Sequence, residues 1–593
     1  MHRISSIVIK NFRACKDVSL PLESYTPLVG QNNAGKSTIL EAIQWVLKPA
    51  ALSAGDFTVA GTPIVVAACI DGISHEVLSR IPEQKHRTAI EPYCRNGRLW
   101  IRVSASAAGA KAISKEVWDI AQCPGDDLPD HWREYPTGLP QAVSVLLPEP
   151  IVIEAMEDLQ EDLGKVKAGT TIKSLLDEIM GPMLKAHADL TNALDSIKSI
   201  LTTDGANRSA HLQTFDAAAT DALAHFFPGL QLDLALQVVE LKEIFKAGDL
   251  HVTDVATGDR RRFHQMGTGA QRAIQMALVR YLAESANSDG LRPSRRLLLV
   301  DEPELYLHPQ GVRRLRVALA HLAESGFQVV FATHSPLMLS RENAQNAIRV
   351  RNQPGGGADI KRPMKQAVSE ALDNAESQSR TLFQLGNIAE IYFSDVVVLC
   401  EGKTDLRLLP LAYEMIYGHP PELDHITFVS LGSCADIPKA LPVLRAMGIK
   451  TRAVADLDFG YTNARSGGLL DKDGKDLTDI KAILCALQPV HEFTLNGNGL
   501  PQTEKNGGWA ASDVWSVVAQ DGSGSAVALR THEELKIKDV WIWPVGCIEQ
   551  VTGCADKGED AILEQEEQLR GMSAVDIDST MPRFRGCFEW ILA

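Results

Sequence analysis

The chain has 593 residues, 45% of them hydrophobic and 23% charged, with a formal net charge of −16. This length exceeds one hydrophobic core and predicts about two to four soluble domains, and no apolar run reaches the roughly 18 to 20 residues that cross a bilayer. Its ten cysteines form no CxxC pair, against a zinc module or a disulfide framework, while the acidic balance argues against a generally basic surface but not against local basic patches.

The opening stretch "MHRISSIVIKNFRACKDVSL" reads as two strands around a polar turn. It lacks the unbroken apolar core and small-residue cleavage site of a signal peptide, so a cytoplasmic protein is expected. Residues 1–155 supply further short strands ("YTPLVG", "PIVVAACI", "RLWIRVS", "PEPIVIEA") and one strong helix after residue 35. Between the "YTPLVG" strand and that helix lies "GQNNAGKS", residues 30–37. It fits G-x-x-x-x-G-K-[ST] in the strand–loop–helix setting the motif requires. Gly30 and Gly35 let the backbone wrap a phosphate, and successive amides with the helix N-terminus supply positive field. Lys36 is placed to reach the β/γ-phosphates and Ser37 to ligate one Mg²⁺, with Asn33 and Thr38 completing the loop.

Residues 156–225 carry apolar positions at spacings of three and four, a helical pattern. Strands return at "LQLDLALQVVELKEIF" and "LHVTDV", followed by the helix "GAQRAIQMALVRYLAESA", the buried strand "RRLLLVDEP", a further helix and the strand "FQVVFATHSP". That alternation predicts a largely parallel sheet with covering helices. Asp301 at the tip of "RLLLVDEPE" can hold the Mg²⁺ shell and Glu302 can polarise a water. Two carboxylates at the end of a buried strand are costly without a cation or a hydrogen-bond network. The basic clusters Arg260–Arg262, Arg292–Arg296 and Arg313–Arg316 read as solvated faces before they read as DNA contacts.

"RNQPGGGADIKRP" marks a boundary near residues 351–363, and a helical connector is expected over 361–392. A new α/β unit follows: strand 395–400, helix 404–417, strand 426–430, helix 435–447, strand 450–456. Single helices between strands imply parallel pairing with right-handed crossovers. "VVVLCEGKTD" delivers Glu401 to the C-terminal edge of the sheet, where ligands of open α/β sheets gather, and Asp405 opens the next helix. In "VADLDFG", Asp456 and Asp458 point to one side if the chain is extended. Such carboxylates repel unless a divalent metal sits among them, and an oxygen-only set suits Mg²⁺ or Mn²⁺. "VWIWPVGCIEQ" reads as another strand running into Glu549, and "CADKGED" brings Lys557, with Asp556 and Glu559 as rival ligands.

The order P-loop, "GTGAQ", "DEPE", "THSP" resembles the ATPase heads of the ABC superfamily, in the branch of SMC-like and RecF-like proteins. The resemblance implies that Gly267, Gly269 and Gln271 complete the ATP site of an opposite subunit, that His334 senses the γ-phosphate, and that "ELYLHP" (Glu304 to Pro309) is the D-loop. ATP would then sit between two copies, making the chain at least a homodimer. Residues 156–225 are too short for an SMC coiled coil and would be a compact helical or dimerisation arm. Strand-EG followed by strand-DxD resembles the Toprim fold.

The two parts in this order resemble the OLD (overcoming lysogenization defect) nucleases over essentially the full length. The implied fold is α/β: an ABC-type ATPase head over 1–155 and 226–360, a helical insert over 156–225, a connector over 361–392 and a Toprim domain over 393–593. The family likeness implies that Glu401, Asp405, Asp456, Asp458 and Glu549 bind two metal ions, with Lys557 assisting. Those ions would flank the scissile phosphate of double-stranded DNA, one activating water and one steadying the leaving 3′ oxygen. The setting implied is bacterial anti-phage defence, with a UvrD-like helicase partner as in Gabija systems, or a reverse transcriptase and its nucleic acid as in retrons. Two other readings stand beside it: a RecF-type ATP-operated DNA-binding sensor with a non-catalytic Toprim scaffold, and a nuclease acting on RNA such as tRNA. A topoisomerase needs a tyrosine in a separate DNA-gating domain and a primase a zinc- or helicase-binding module, and neither is present.

Overall fold

A computed structural model describes residues 2–120, 131–147, 150–154, 188–204, 206–224, 230–231, 233–234, 236, 250–255, 257–288, 297–353, 355–371, 388–503, 508–553 and 558–593. Much of the predicted insert and connector, the Arg292–Arg296 cluster, most of "LQLDLALQVVELKEIF", and Asp556 and Lys557 lie outside the described residues. The chain divides into two compact units. One holds Met1–Phe12, Pro21–Tyr25 and Ser37–Thr333; the other holds Arg13–Leu20, Thr26–Lys36 and His334–Ala593.

In the first unit, Arg3–Phe12, Ile64–Asp71, Leu99–Ala105, Ile113–Trp118 and Trp132–Glu134 pair antiparallel in that order. One face presents Ile7, Ile9, Val66, Ala68, Ile101, Val103 and Val117, all buried. The other carries Val8, Ala67, Cys69, Trp100 and Trp118 as a second cluster. On that second face Arg102 makes a cross-strand pair with Glu116 at 2.7 Å and lies 4.5 Å over the Trp132 ring. Covering on both faces removes the clean apolar–polar alternation of a half-solvated sheet. The structure adds two strands, Ile113–Trp118 and Trp132–Glu134, and three short helices, His75–Ser79, Gln84–Ile90 and Leu139–Leu146, to the single helix expected before residue 155.

The same unit holds three parallel strands, Ile151–Ile153, Leu297–Asp301 and Gln328–Thr333, with Leu298 opposite Ile151 and Leu299 opposite Val330. Their continuous apolar runs are those of strands buried on both sides. Helix Pro309–Glu324 joins the last two; His308 caps it, Pro309 fills its first position, and Val312, Leu315, Ala318, Leu319 and Leu322 form its buried stripe. Two helices, Ala188–Leu201 and Ala210–Ala224, stand in the described part of the predicted insert.

In the second unit, strand Ile348–Gln353 runs parallel to Tyr25–Val29, with Arg349 opposite Val29, and turns back antiparallel as Gly357–Ile360. Downstream lies a four-stranded parallel sheet in the order Ile426–Ser430, Val396–Cys400, Lys450–Ala455, Val540–Ile542. Alternate residues feed two cores. Val397, Leu399, Ala453 and Ile542 face helices Ile437–Ala446 and Gly522–Lys536. Val398, Cys400, Val454 and Trp541 face helices Lys403–Tyr417 and Pro582–Leu592. The chain goes from the second strand outward to the first, then crosses back to the third. That reversal is a topological switch point, and the crevice beyond the strand ends there is the ligand position of open α/β sheets. Glu401 and Asp456 follow the two strands that flank it.

Phe588 anchors the second core, fully buried, stacked on Phe584 at 6.1 Å and edge-on to Tyr413 at 5.2 Å. Phe588→Ala should remove about 3–5 kcal/mol from this sheet's stability, read as a lowered melting transition of the unit that carries it. A Phe588→Leu variant should recover most of the loss.

Candidate metal centre and nucleotide loop

Strand Tyr25–Val29 ends in the glycine loop, and helix Lys36–Leu47 starts at its lysine. A Cβ on Gly30 would stand 2.1 Å from the Val350 carbonyl oxygen, so only glycine allows that backbone approach. Gly35 has φ 101°, and a Cβ there would meet the Ala358 Cβ at 2.9 Å. Asn33 takes the left-handed conformation at φ 61°, which asparagine tolerates. Lys36 is buried and donates from Nζ to the carbonyls of Gly30 at 3.0 Å and Gln31 at 2.9 Å, which folds the loop over its own lysine. Ser37 and Thr38 occupy the first turn of the helix.

In the other unit, Arg272 ties the strand ends together. Its Nη1 donates to the Glu154 carbonyl at 3.0 Å, and its Nη2 donates to those of Asp301 and Glu302 at 2.8 Å each. Glu302 sits at φ 43°, held there by this pinning. Gly267 precedes helix Thr268–Ser288 and Gln271 lies in its first turn, donating to the Met266 carbonyl at 2.7 Å. A Cβ on Gly269 would lie 3.5 Å from the Tyr306 carbonyl oxygen, so the signature turn packs directly against the predicted D-loop. Glu304 accepts from the Thr333 hydroxyl at 2.6 Å, and His334 follows that strand. Arg272 escaped the reading of the sequence although it directly follows Gln271; an arginine beside a signature loop is the signal that could have found it.

The acidic site lies within the second unit. Ligand oxygens of Glu401, Asp456 and Asp458 all lie within 4.8 Å of one another, and so do ligand atoms of Asp456, Cys547 and Glu549. Asp456 belongs to both sets. Backbone contacts fix this arrangement: Leu457 N–H donates to the Gly546 carbonyl at 2.7 Å, and the Thr462 hydroxyl donates to the Asp458 carbonyl at 2.8 Å. Two expected local geometries differ. Asp456 and Asp458 do not lie on one extended stretch; Asp456 stands just before a 3₁₀ turn, Leu457–Tyr461, that contains Asp458. The last strand stops at Ile542, and Glu549 stands in the first turn of helix Ile548–Thr552. Pro544 offers no amide for the ladder and Gly546 turns the chain at φ 124°.

Asp405 is buried in the first turn of helix Lys403–Tyr417 and accepts from the Gly402 N–H at 3.1 Å. That bond shapes the turn carrying Glu401, and Asp405 lies outside both converging sets. Glu559, the rival ligand, accepts from Arg407 at 2.5 Å, and Arg407 also grips Glu566. Cys434 lies at the Glu401 end, its thiol pushed up to about 12 by burial and by the nearby carboxylates Glu401 and Asp458. Neither Cys434 nor Cys547 was among the sequence candidates, because thiols without CxxC spacing carry no metal signature.

Four carboxylates converging at one sheet edge repel one another and fit a divalent cation as their counter-charge. Their oxygens are the donors that Mg²⁺ and Mn²⁺ accept. Among the described residues, no helix is long and apolar enough to cross a membrane.

Comparison with known proteins agrees with this geometry. The model of an AAA ATPase domain matches residues 3–85 and 149–339, which include the glycine loop, the signature and the Asp301 strand. The model of the Overcoming lysogenization defect protein-like TOPRIM domain matches residues 392–458, from before Glu401 through Asp458; Glu549 and Lys557 lie beyond it. The Old nuclease of Escherichia phage P2 is 33% identical over 587 residues, 96% of this chain and 97% of that protein. The OLD nuclease of Thermus scotoductus is 24% identical over 485 residues, 78% of this chain and 83% of its own. With an ATPase domain, a Toprim domain and that identity along nearly its whole length, the chain belongs to the OLD nuclease family and is an ATP-linked nuclease.

Proposed function

We propose that the protein is a nucleotide-gated, divalent-metal-dependent endonuclease that nicks or cuts double-stranded DNA in bacterial anti-phage defence. In this reading the ATPase comprises residues 1–155 and 226–360, and the nuclease domain residues 393–593. The observation that carries it is the pair of ligand sets sharing Asp456 at the switch point of the parallel sheet. When bound, a pair of divalent ions supplies an activated water and neutralises the leaving 3′ oxygen, which is two-metal phosphodiester hydrolysis. Glu401, Asp456, Asp458 and Glu549 hold that charge at the sheet edge, while Asp405 sets the Glu401 turn. Lys557 is assigned to the charge that builds on the phosphate. Lys36, Ser37 and Asp301 serve ATP with its own Mg²⁺, with Glu302 orienting water. Gly267, Gly269, Gln271 and His334 complete that site in a homodimer or higher oligomer.

Gating has a physical route inside the second unit. Strand Ile348–Gln353 lies beside the strand that ends in the glycine loop. From it, Arg349 donates to the Ser394 carbonyl and Arg351 pairs with Asp395, with Arg349 also 3.6 Å from that carboxylate. Asp395 directly precedes the strand that delivers Glu401. A cavity of about 350 Å³ has Gly30, Gln31, Arg349, Arg351 and Asp395 in its lining, so a shift of the loop reaches these ion pairs directly. Arg351→Gln is expected to cut the response of cleavage to ATP by about tenfold, the scale of a coupling energy of 1–2 kcal/mol. ATP affinity and cleavage without nucleotide should stay within about twofold of wild type.

The test of function is purified protein with supercoiled plasmid and Mg²⁺ or Mn²⁺. Nicking that disappears in Glu401→Ala supports the proposal. Intact plasmid with ATP-dependent retention of DNA replaces it with the sensor reading, and cleaved tRNA beside intact plasmid replaces it with the RNA nuclease.

A further inference from the structure

We infer that Cys547 is itself a metal ligand, so that one of the two ion positions is a mixed carboxylate–thiolate site favouring Zn²⁺ and other thiophilic ions over Mg²⁺. This rests on the metal-centre reading above and adds to it. The set of Glu401, Asp456 and Asp458 offers oxygen alone, whereas the set of Asp456, Cys547 and Glu549 brings a sulfur among its donor atoms within the same 4.8 Å. Cys547 and Glu549 are both buried, 1% and 5% exposed, so this position is the drier of the two.

The sulfur is held there by the chain around it. Strand Val540–Ile542 runs into the turn at Gly546, whose carbonyl accepts from Leu457 N–H, and that bond locks residue 547 against the Asp456 turn. Gln550 Oε1 accepts from the Cys547 amide at 2.7 Å and from the thiol at 2.6 Å. Capping alone does not explain a cysteine here, since serine, threonine, aspartate or asparagine do that work better and a thiol is a weak hydrogen-bonding group. A soft sulfur donor at 547 does make sense beside two carboxylates and a metal.

The binding step balances simply. As the sulfur–metal bond forms, the thiol proton leaves to solvent, and the sulfur remains as thiolate with no change of oxidation state. Gln550 Oε1 gives up the thiol as a donor in that step and keeps the Cys547 amide, which holds the backbone of residue 547 in place. Affinity at such a site rises from Mn²⁺ through Co²⁺ to Zn²⁺, while Mg²⁺ keeps to oxygen. Zinc should therefore compete with the working ions at this position and inhibit cleavage.

The test titrates full-length protein with Co²⁺ and records its absorption. The expected result is visible d–d bands together with an intense near-ultraviolet sulfur-to-cobalt charge-transfer band. In Cys547→Ser, whose hydroxyl can still donate to Gln550 Oε1, the d–d bands should remain and the charge-transfer band should vanish. Zinc affinity in that variant should fall by at least the roughly 10- to 100-fold that losing an outer-shell partner costs. Cys485→Ser, at an exposed thiol, should leave both bands intact. Visible bands without charge transfer, or a charge-transfer band that survives Cys547→Ser, overturns the thiolate ligand while leaving the carboxylate centre standing. No cobalt bands at all overturns the centre and the ligand together.

Discussion

Asp456→Asn should abolish cleavage, by about 1,000-fold or more, taking the 100- to 1,000-fold cost of one transition-state-stabilising donor as the lower bound. Asp456 is the only residue common to both ligand sets, so its loss weakens both ion positions at once. Asparagine keeps the size of the side chain and suits the N-cap position of the turn Leu457–Tyr461, where the aspartate side chain makes no capping bond to lose, so the fold should persist. Removing one of four converging negative charges also relieves repulsion in the metal-free protein. The melting temperature without metal should therefore stay level or rise, while the stabilisation conferred by Mn²⁺ should largely disappear. A purely structural role for Asp456 would give the reverse, a lowered melting point with cleavage lost only through unfolding. Plasmid nicking and thermal melts with and without Mn²⁺ separate the two.

Lys36→Ala should reduce ATP hydrolysis by on the order of 1,000-fold, the scale of other groups that offset charge during phosphoryl transfer. The lysine now satisfies the carbonyls of Gly30 and Gln31, so alanine removes both a phosphate contact and the loop's internal brace. The acidic site lies on other strands, and its Mn²⁺ binding should be unchanged in this variant. Cleavage should lose its response to ATP. Normal ATP control of cleavage by Lys36→Ala protein would remove the gating part of the account.

Much of the acidic site was legible because each element carries a local mark. "VVVLCEG" is a buried strand breaking at a glycine, and "VADLD" is a second one ending in acid; both strands stand close to their expected bounds, at Val396–Cys400 and Lys450–Ala455. Their parallel direction followed from single-helix crossovers, but their adjacency did not, because strand Ile426–Ser430 comes between them in sequence and lies at the edge of the sheet. What stayed hidden depends on turns and on contacts distant in sequence. The 3₁₀ turn after Asp456 and the break at Pro544 and Gly546 re-aim carboxylates that a simple extension of the strands places elsewhere. Arg272 takes its meaning from three carbonyls on strands far away in sequence.

The segment "VAQDGSGSAV" shows the same limit. Its glycines suggest a loop, yet Asp521 caps a helix running Gly522–Lys536. A Cβ on Gly524 would stand 2.1 Å from the Val518 carbonyl oxygen, so glycine there serves a close approach to the preceding helix. In the first 155 residues, the extra antiparallel strands were obscured because both faces of that sheet carry apolar clusters.

The most direct measurement is where manganese sits, by anomalous scattering from crystals of the full-length protein grown with Mn²⁺. Peaks between Glu401, Asp456 and Asp458 and beside Glu549, absent in Asp456→Asn crystals, are the predicted result. Crystals with no anomalous peak at that sheet edge, even at millimolar manganese, would contradict the account, because those side chains would then tolerate one another without a cation.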